Sequence, residues 1–435
     1  MPKKRKTRNK EKVKKTKISF QSPKGMHDIL PQEQILFSKI NRVAEKIADV
    51  YNFSKIETPI LEQKEIFERS VGETTDIVEK QMFTVKRRRE GELALRPEGT
   101  APIMRAYLQH NFNRLPQPVK LFYEGPMFRY EQPQAGRLRQ FHQIGFEIIG
   151  SEDPIYDAQI ILLSKHFLEE LKIKKINIQI NSLGCNTCRQ KYKNQFLAYY
   201  KTRQRSLCAD CRKRLNLNPL RILDCKNERC EILKKDAPII LDNLCQSCKN
   251  HFRSVLEYLD EISVDYILNF HLVRGLDYYN RTVFEIFSDE FNFALAGGGR
   301  YDNLSSILGG PKIAAVGVSL GVERLVEAIK DKNIENLISK KPRVFFVQLG
   351  AQAKKKGIEI LKELYYAGIK TTEALDKDSL KAQLRATDKS GADFALILGQ
   401  REVMEDSIIL RDMKTGIQEN IAINKIINEI KKRMH

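Results

Sequence analysis

Apolar positions recur along this chain with two periods, and the switches between them outline its architecture. Over residues 32–51, Ile35, Leu36, Ile40, Val43 and Ile47 fall at helical spacing and predict a helix. A short strand follows at 54–58, ended by Pro59, and then a helix over 60–70. Residues 92–96 alternate as a strand, and Pro97-Glu-Gly-Thr100 forms a turn. Thr100 is placed to cap a helix over 101–111, with Pro102 tolerated in its first turn.

Residues 119–123 and 128–147 read as a hairpin whose loop is rich in Gln, Gly and Arg. On its second strand, period two puts Gln143, Gly145 and Glu147 on one face and His142, Ile144, Phe146 and Ile148 on the other. The apolar set suits a core. The polar set, with no bulk at its centre, suits a ligand lying flat on the sheet, or else a solvated face. Arg129 and Glu131 also share a face. Beyond the hairpin come an amphipathic helix to about residue 171, strands at 175–181, 264–270, 282–287 and 291–296, and the turn Gly297-Gly-Gly-Arg-Tyr301. A strand at 313–319 then feeds a helix over 321–330.

Short turns between these strands indicate an α+β domain, a largely antiparallel sheet flanked by helices. No phosphate-loop motif and no dinucleotide fingerprint follows any strand. The polar stretch 331–342 reads as a linker. After it the pattern becomes an alternation: strands at 343–349, 369–372, 394–398 and 407–412, and helices at 352–367, 378–390 and from about 420. That is a separate small α/β domain, 341–435, with 18 Lys or Arg against 13 Asp or Glu and no cluster suited to catalysis.

Charge changes the picture. The chain has 435 residues and a formal net charge of +20. Residues 1–17 hold ten Lys or Arg against one Glu and read as a disordered basic tail, either an import signal or an arm attracting RNA. The surplus extends into the body, which points to a polyanion such as nucleic acid. No apolar run suits a membrane span or a secretory leader, so a cytoplasmic protein without a membrane partner is expected.

All eight cysteines lie between Cys185 and Cys248. Cys185 and Cys188, Cys208 and Cys211, and Cys245 and Cys248 are each separated by two residues; Cys225 and Cys230 are separated by four. Such spacing lets two sulfurs reach one tetrahedral Zn²⁺ at roughly 2.3 Å. The four pairs allow two sites, with the sharing of pairs left open. Residues 183–262 are thus expected to be a Cys-rich, zinc-binding insertion in a domain made of 18–182 and 263–332. The insertion is basic, which suits RNA contact or a merely solvated surface.

The run Leu272-Val-Arg-Gly-Leu-Asp-Tyr-Tyr-Asn-Arg281 combines Arg274, Gly275, Tyr278 and Tyr279. An arginine beside a glycine can approach a phosphate closely, and paired tyrosines offer a flat wall. Taken together, these stretches resemble the bacterial-type histidyl-tRNA synthetase family of class II aminoacyl-tRNA synthetases. The first helix, strand and Pro59 resemble the first class II signature, which in this family builds a dimer interface. Phe128-Arg-Tyr-Glu through Glu147 resembles the second, and Gly317-Val-Ser-Leu-Gly-Val-Glu-Arg324 the third. Leu272–Tyr279, Gly298–Tyr301 and Arg96-Pro-Glu-Gly-Thr100 resemble the motifs special to the histidine enzyme, and the C-terminal domain resembles an anticodon-binding domain.

The resemblance implies a histidine–tRNA ligase that forms histidyl-adenylate from L-histidine and ATP with Mg²⁺, then charges tRNA(His), working as a homodimer. It implies that Glu98, Gly99, Thr100, Gln143, Glu147, Tyr278, Tyr279 and Tyr301 bind histidine. It further implies that Arg129, Glu131, Arg274 and Arg324 bind ATP, with Arg129 and Arg274 catalytic. Lys24-Gly-Met-His27 departs from the usual Arg-Gly-Thr of the family, the tail lies outside its core, and only part of it carries the eight-cysteine insertion. Two other readings are a non-catalytic paralogue, such as the regulatory subunit of ATP phosphoribosyltransferase, and a zinc-containing RNA-binding protein.

Overall fold

The computed structural model describes residues 20–433 apart from 73, 74, 76, 87–90, 133–135 and 331–342. The basic tail, the linker and part of the hairpin loop therefore lie outside the described residues. The chain divides into two compact units, 1–332 and 333–435.

The first unit is built on an eight-stranded sheet and a smaller three-stranded one. In chain order its strands are β1 (Ser54–Lys55), β2 (Leu61–Gln63), β3 (Thr84–Lys86), β4 (Glu92–Leu95), β5 (Val119–Phe128), β6 (Gln140–Ile149), β7 (Ile176–Ser182), β8 (Ile267–Leu268), β9 (Asn280–Ser288), β10 (Ala296–Arg300) and β11 (Ala315–Gly321). The large sheet runs β1-β5-β6-β11-β10-β9-β7-β8. Its six central strands pair antiparallel, and β1 and β8 join parallel at the edges. The first helix, Pro31–Val50, buries Leu36, Phe37, Ile40, Ala44 and Ile47 on one stripe, as its periodicity requires.

Several expectations need correction. The helix expected over 60–70 begins only at Lys64, because Leu61–Gln63 pairs with β4 as a strand. The strand expected at 291–296 begins at Ala296, and the glycine run is itself β10 and not a turn. Glycines are needed there: a side chain at Gly298 would meet the Gly317 carbonyl and Phe284. Thr100 does not cap its helix. Glu98 does, accepting from the backbone N–H of Thr100 (2.7 Å) and Ala101 (3.0 Å).

Within the first unit, the insertion forms four helices, Asn186–Lys201, Ala209–Leu217, Glu228–Lys234 and Gln246–Glu261. It is not a separate lobe, because Cys188, Tyr192 and Phe196 belong to one apolar core with Tyr107, Tyr278 and Val283. The second unit is a five-stranded sheet, ordered β13-β12-β14-β15-β16, of β12 (Val344–Gln348), β13 (Thr371–Glu373), β14 (Phe394–Leu398), β15 (Ser407–Asp412) and β16 (Gln418–Ala422). Strand β16 occupies part of the expected final helix, which starts at Ile426. Among the described residues no helix is long and apolar enough to cross a membrane.

Candidate active site and cysteine centres

One cleft of about 340 Å³ opens over the middle of the large sheet. Glu98, Thr100, Arg129, Glu131, Gln143, Arg274, Tyr278, Tyr279 and Arg324 all line it, though they come from four separated stretches. Strand order explains the convergence: β6 pairs with β11, which pairs with β10, which pairs with β9. Gln143 therefore lies opposite Gly321, three residues before Arg324.

One end of the cleft is cationic. Arg129 uses Nε on the Pro97 carbonyl (2.9 Å) and lies 5.2 Å from the Phe141 ring, leaving its terminal nitrogens without a partner among the described residues. Arg324 is held by the carbonyls of Gly136 (3.2 Å) and Ala294 (2.8 Å). Arg274 pairs with Glu285 and lies 5.6 Å from the Tyr279 ring. Its guanidinium fills the space where a side chain at Gly297 would stand. Burial lowers the pKa of Arg129 and of Arg324. Burial also opposes the charge on Arg274, but Glu285 and the two tyrosines more than offset it. All three remain cations at neutral pH.

The other end is acidic and hydroxyl-rich. Tyr278 donates to Glu98 (3.2 Å), and its ring lies 4.8 Å from Tyr279 and 5.8 Å from Tyr301. Burial pushes the Glu98 carboxyl above its ordinary range, against the N–H bonds of Ala101 and Thr100 and the Arg129 charge. Glu147 lies one layer beneath the cleft floor, with Thr100 Oγ1 donating to one oxygen (2.8 Å) and Tyr301 to the other (2.6 Å). Burial raises its pKa to about 8, with Glu98 adding to the effect. Tyr301 lies beneath the floor with it.

The gap foreseen at Gly145 is filled. Tyr123, its cross-strand partner, lays its ring over Gly145, and a Cβ there would fall inside the ring. A Cβ at Gly99 would meet the same ring from the other side. Gly99 thus accommodates a tyrosine; it does not line the cleft. Tyr123, Glu285 and Glu323 line the cleft but were missed in the sequence. Glu285 could have been found, as the one charge within the apolar run Val283-Phe-Glu-Ile286. Glu323 accepts from the backbone N–H (2.9 Å) of His142 and lies 2.8 Å from its Nδ1, which ties β6 to the helix carrying Arg324.

The cysteines gather into two groups of four. Cys185, Cys188, Cys245 and Cys248 form one, and Cys208, Cys211, Cys225 and Cys230 the other; within each, all sulfurs lie within 4.8 Å of one another. Sγ separations of 3.5 Å (Cys185–Cys188) and 3.8 Å (Cys208–Cys225) match the edge of about 3.8 Å that a tetrahedral Zn–S₄ unit requires. Backbone N–H groups point at the sulfurs, Cys245 to Cys188 (3.1 Å) and Cys208 to Cys230 (3.4 Å). Cys185, Cys208 and Cys245 each precede a helix N-terminus, where a thiolate is favoured. The donor set fits zinc.

Comparison with known proteins agrees with this geometry. Residues 25–325 match the histidyl-tRNA synthetase family and residues 343–433 an anticodon binding domain. A histidine–tRNA ligase of Syntrophotalea carbinolica is 43% identical over 94% of this chain and 97% of its own length. One of Aquifex aeolicus is 44% identical over 94% of this chain and its entire own length. The apo histidyl-tRNA synthetase of Staphylococcus aureus superimposes with a TM-score of 0.78 at 33% identity, covering 95% of this chain and all of that one. A Bacillus halodurans structure described as an ATP phosphoribosyltransferase regulatory subunit/histidyl-tRNA synthetase shares the fold, with a TM-score of 0.64 at 21% identity, over 88% of this chain and 99% of that one.

Proposed function

The chain belongs to the histidyl-tRNA synthetase family, and we infer from that premise that it is a histidine–tRNA ligase. It activates L-histidine with ATP to histidyl-adenylate and pyrophosphate, then transfers histidine to the 3′ end of tRNA(His). The observation that carries this reading is one cleft with three half-buried cations at one end and buried carboxyls and tyrosines at the other.

The acidic end suits histidine, whose α-ammonium and imidazole N–H are donors and whose ring fits between aromatic walls. We assign Glu98, Thr100 and Gln143 to direct contact, Tyr278 and Tyr279 to the ring, and Glu147 and Tyr301 to the charge beneath it. Gly99 supports the pocket by admitting Tyr123. Arg129 and Arg274 are assigned to the α-phosphate, Arg324 to the γ-phosphate and Glu131 to the adenine side.

In the first step a histidine carboxylate oxygen attacks the α-phosphorus, and the bond to pyrophosphate breaks. The nucleophile is already ionised and needs no base, so catalysis rests on orientation and on neutralising charge in the transition state. Among the carboxylates lining the cleft, Glu131 and Glu285 would offer hard oxygens to an ATP-bound Mg²⁺, which would supply further neutralisation at the phosphates. In the second step a ribose hydroxyl of the tRNA attacks the histidyl carbonyl and AMP leaves.

Structural zinc in each four-cysteine group, tRNA contact by the 132–139 loop and the C-terminal unit, a homodimer and a cytoplasmic location complete the proposal. The arginine set and the C-terminal unit speak against a regulatory paralogue, and the cleft speaks against a protein that only binds RNA. The test is ATP–pyrophosphate exchange across the standard amino acids. Exchange with histidine alone is expected; exchange with none, by purified zinc-loaded protein, refutes the assignment.

A further inference from the structure

The insertion reaches into the active-site loop through a side chain that the chemistry above leaves unused. Arg189 follows Cys188 in the first turn of the helix Asn186–Lys201. Its Nη1 donates to the carbonyl oxygens of Tyr279 (3.0 Å) and Asp277 (3.3 Å), which flank Tyr278 on either side. The root of the arginine is fixed as well. Its N–H donates to the Cys185 carbonyl (2.9 Å), and the Cys245 N–H donates to Cys188 Sγ (3.1 Å). Gly184, at φ 61°, brings the backbone so close to Cys188 that a side chain there would collide with it. On the other side of the loop, Asn218 donates to Asp277 Oδ1 (3.4 Å) and the Asp277 N–H donates to the Val71 carbonyl (3.0 Å).

We propose that Arg189 is a positioning residue for histidine activation, tying the loop of Arg274, Tyr278 and Tyr279 to the Cys185/Cys188/Cys245/Cys248 centre. This rests on the ligase reading. Peptide groups are planar, so fixing the Asp277 and Tyr279 carbonyls orients the peptide planes on either side of the Tyr278–Tyr279 pair and restricts the directions in which the two side chains leave the backbone. Tyr278 then reaches Glu98, and Tyr279 presents its ring to Arg274. A guanidinium holds two carbonyls at once, and its bonds are those of a charged donor. The cysteine centre thereby acts on catalysis from outside the cleft, by holding one end of this clamp.

The test uses the full-length, zinc-loaded protein. Arg189→Met keeps the stem and removes the donors. Expected are an unchanged zinc content, a loss of kcat/KM in histidine-dependent exchange of about tenfold or more, and faster hydrogen–deuterium exchange at residues 276–280 but not on β5 and β6. In an Arg274→Ala background the same change should cost less than in the wild type, because one of the clamp's effects, the placement of Tyr279 against Arg274, is already gone. Arg189→Lys, whose nitrogen sits one bond nearer the backbone than Nη1, falls short of the two carbonyls and should lose about threefold with faster exchange at 276–280. Should the Met variant lose zinc, the Lys variant carries the test. Wild-type rate and wild-type loop protection in the folded variant, or penalties that multiply fully in the double variant, overturn the proposal. Wild-type protein inactive with histidine would instead overturn the ligase reading.

Discussion

Replacing Glu147 by Gln keeps the shape and one hydroxyl donor bond, with the amide NH2 donating to the other hydroxyl oxygen, while removing a charge that the fold disfavours. Burial carries the Glu147 pKa from 4.5 to about 8, and the hydrogen bonds from Tyr301 and Thr100 only partly offset it. An acid whose folded value lies above its unfolded one favours folding when protonated. Its stabilising effect is complete below pH 4.5 and is lost as pH rises toward 8. Between pH 5.5 and 7.5 the ligand-free wild type should therefore lose roughly 2–3 kcal/mol that the Gln variant keeps. For a unit of this size that is on the order of 5 °C in Tm. The assay is thermal unfolding of both proteins at the two pH values, followed by the same scans with histidine. The variant should be the more stable at pH 7.5, the gap should shrink at pH 5.5, and histidine should rescue the wild type more. Tm values that run parallel with pH in the two proteins would refute the argument.

Three further outcomes follow from the same geometry. Arg274→Ala should cost kcat about 3 kcal/mol, near a hundredfold, with little change in equilibrium histidine binding. Lost binding with normal turnover at saturation would contradict its assigned role. Metal analysis should return about two Zn per chain, and Cys211→Ser should remove one of them; a folded, zinc-free protein excludes the metal reading. Gly145→Ala should force the Tyr123 ring aside and cost about 1–3 kcal/mol in stability, read from the unfolding midpoint, and an unchanged midpoint would show that the ring gives way freely.

The sequence carried the long helices and most central strands well, because their apolar positions follow one period over their whole length, whereas the glycine strand β10 has no such period to follow. Leu61–Gln63 departs from its expected helix because so short a strand exists through a partner beyond the next helix, and Gln418–Ala422 because this mostly exposed hairpin arm shows no apolar alternation. Alternation put Gln143 and Glu147 on one face, but it could not show that Tyr123 from the neighbouring strand would cover Gly145 between them. Thr100 has the chemistry of a cap and sits where one is wanted. The carboxylate of Glu98 took that place, which freed the hydroxyl for Glu147. Cysteine spacing gave the pairs; only the packing of four helices brought pairs together, the first with the last.

The strand order also has a meaning in time. Strand β6 is complete at residue 149, yet its second neighbour, β11, starts at 315. At about 5–20 residues per second, a ribosome delivers that partner some 10–30 s later, after the whole cysteine insertion has emerged. Until then the edge of β6 bearing Gln143, Gly145 and Glu147 is unpaired and open to wrong partners. In a nascent chain, closing of the active site therefore waits until the insertion has been made.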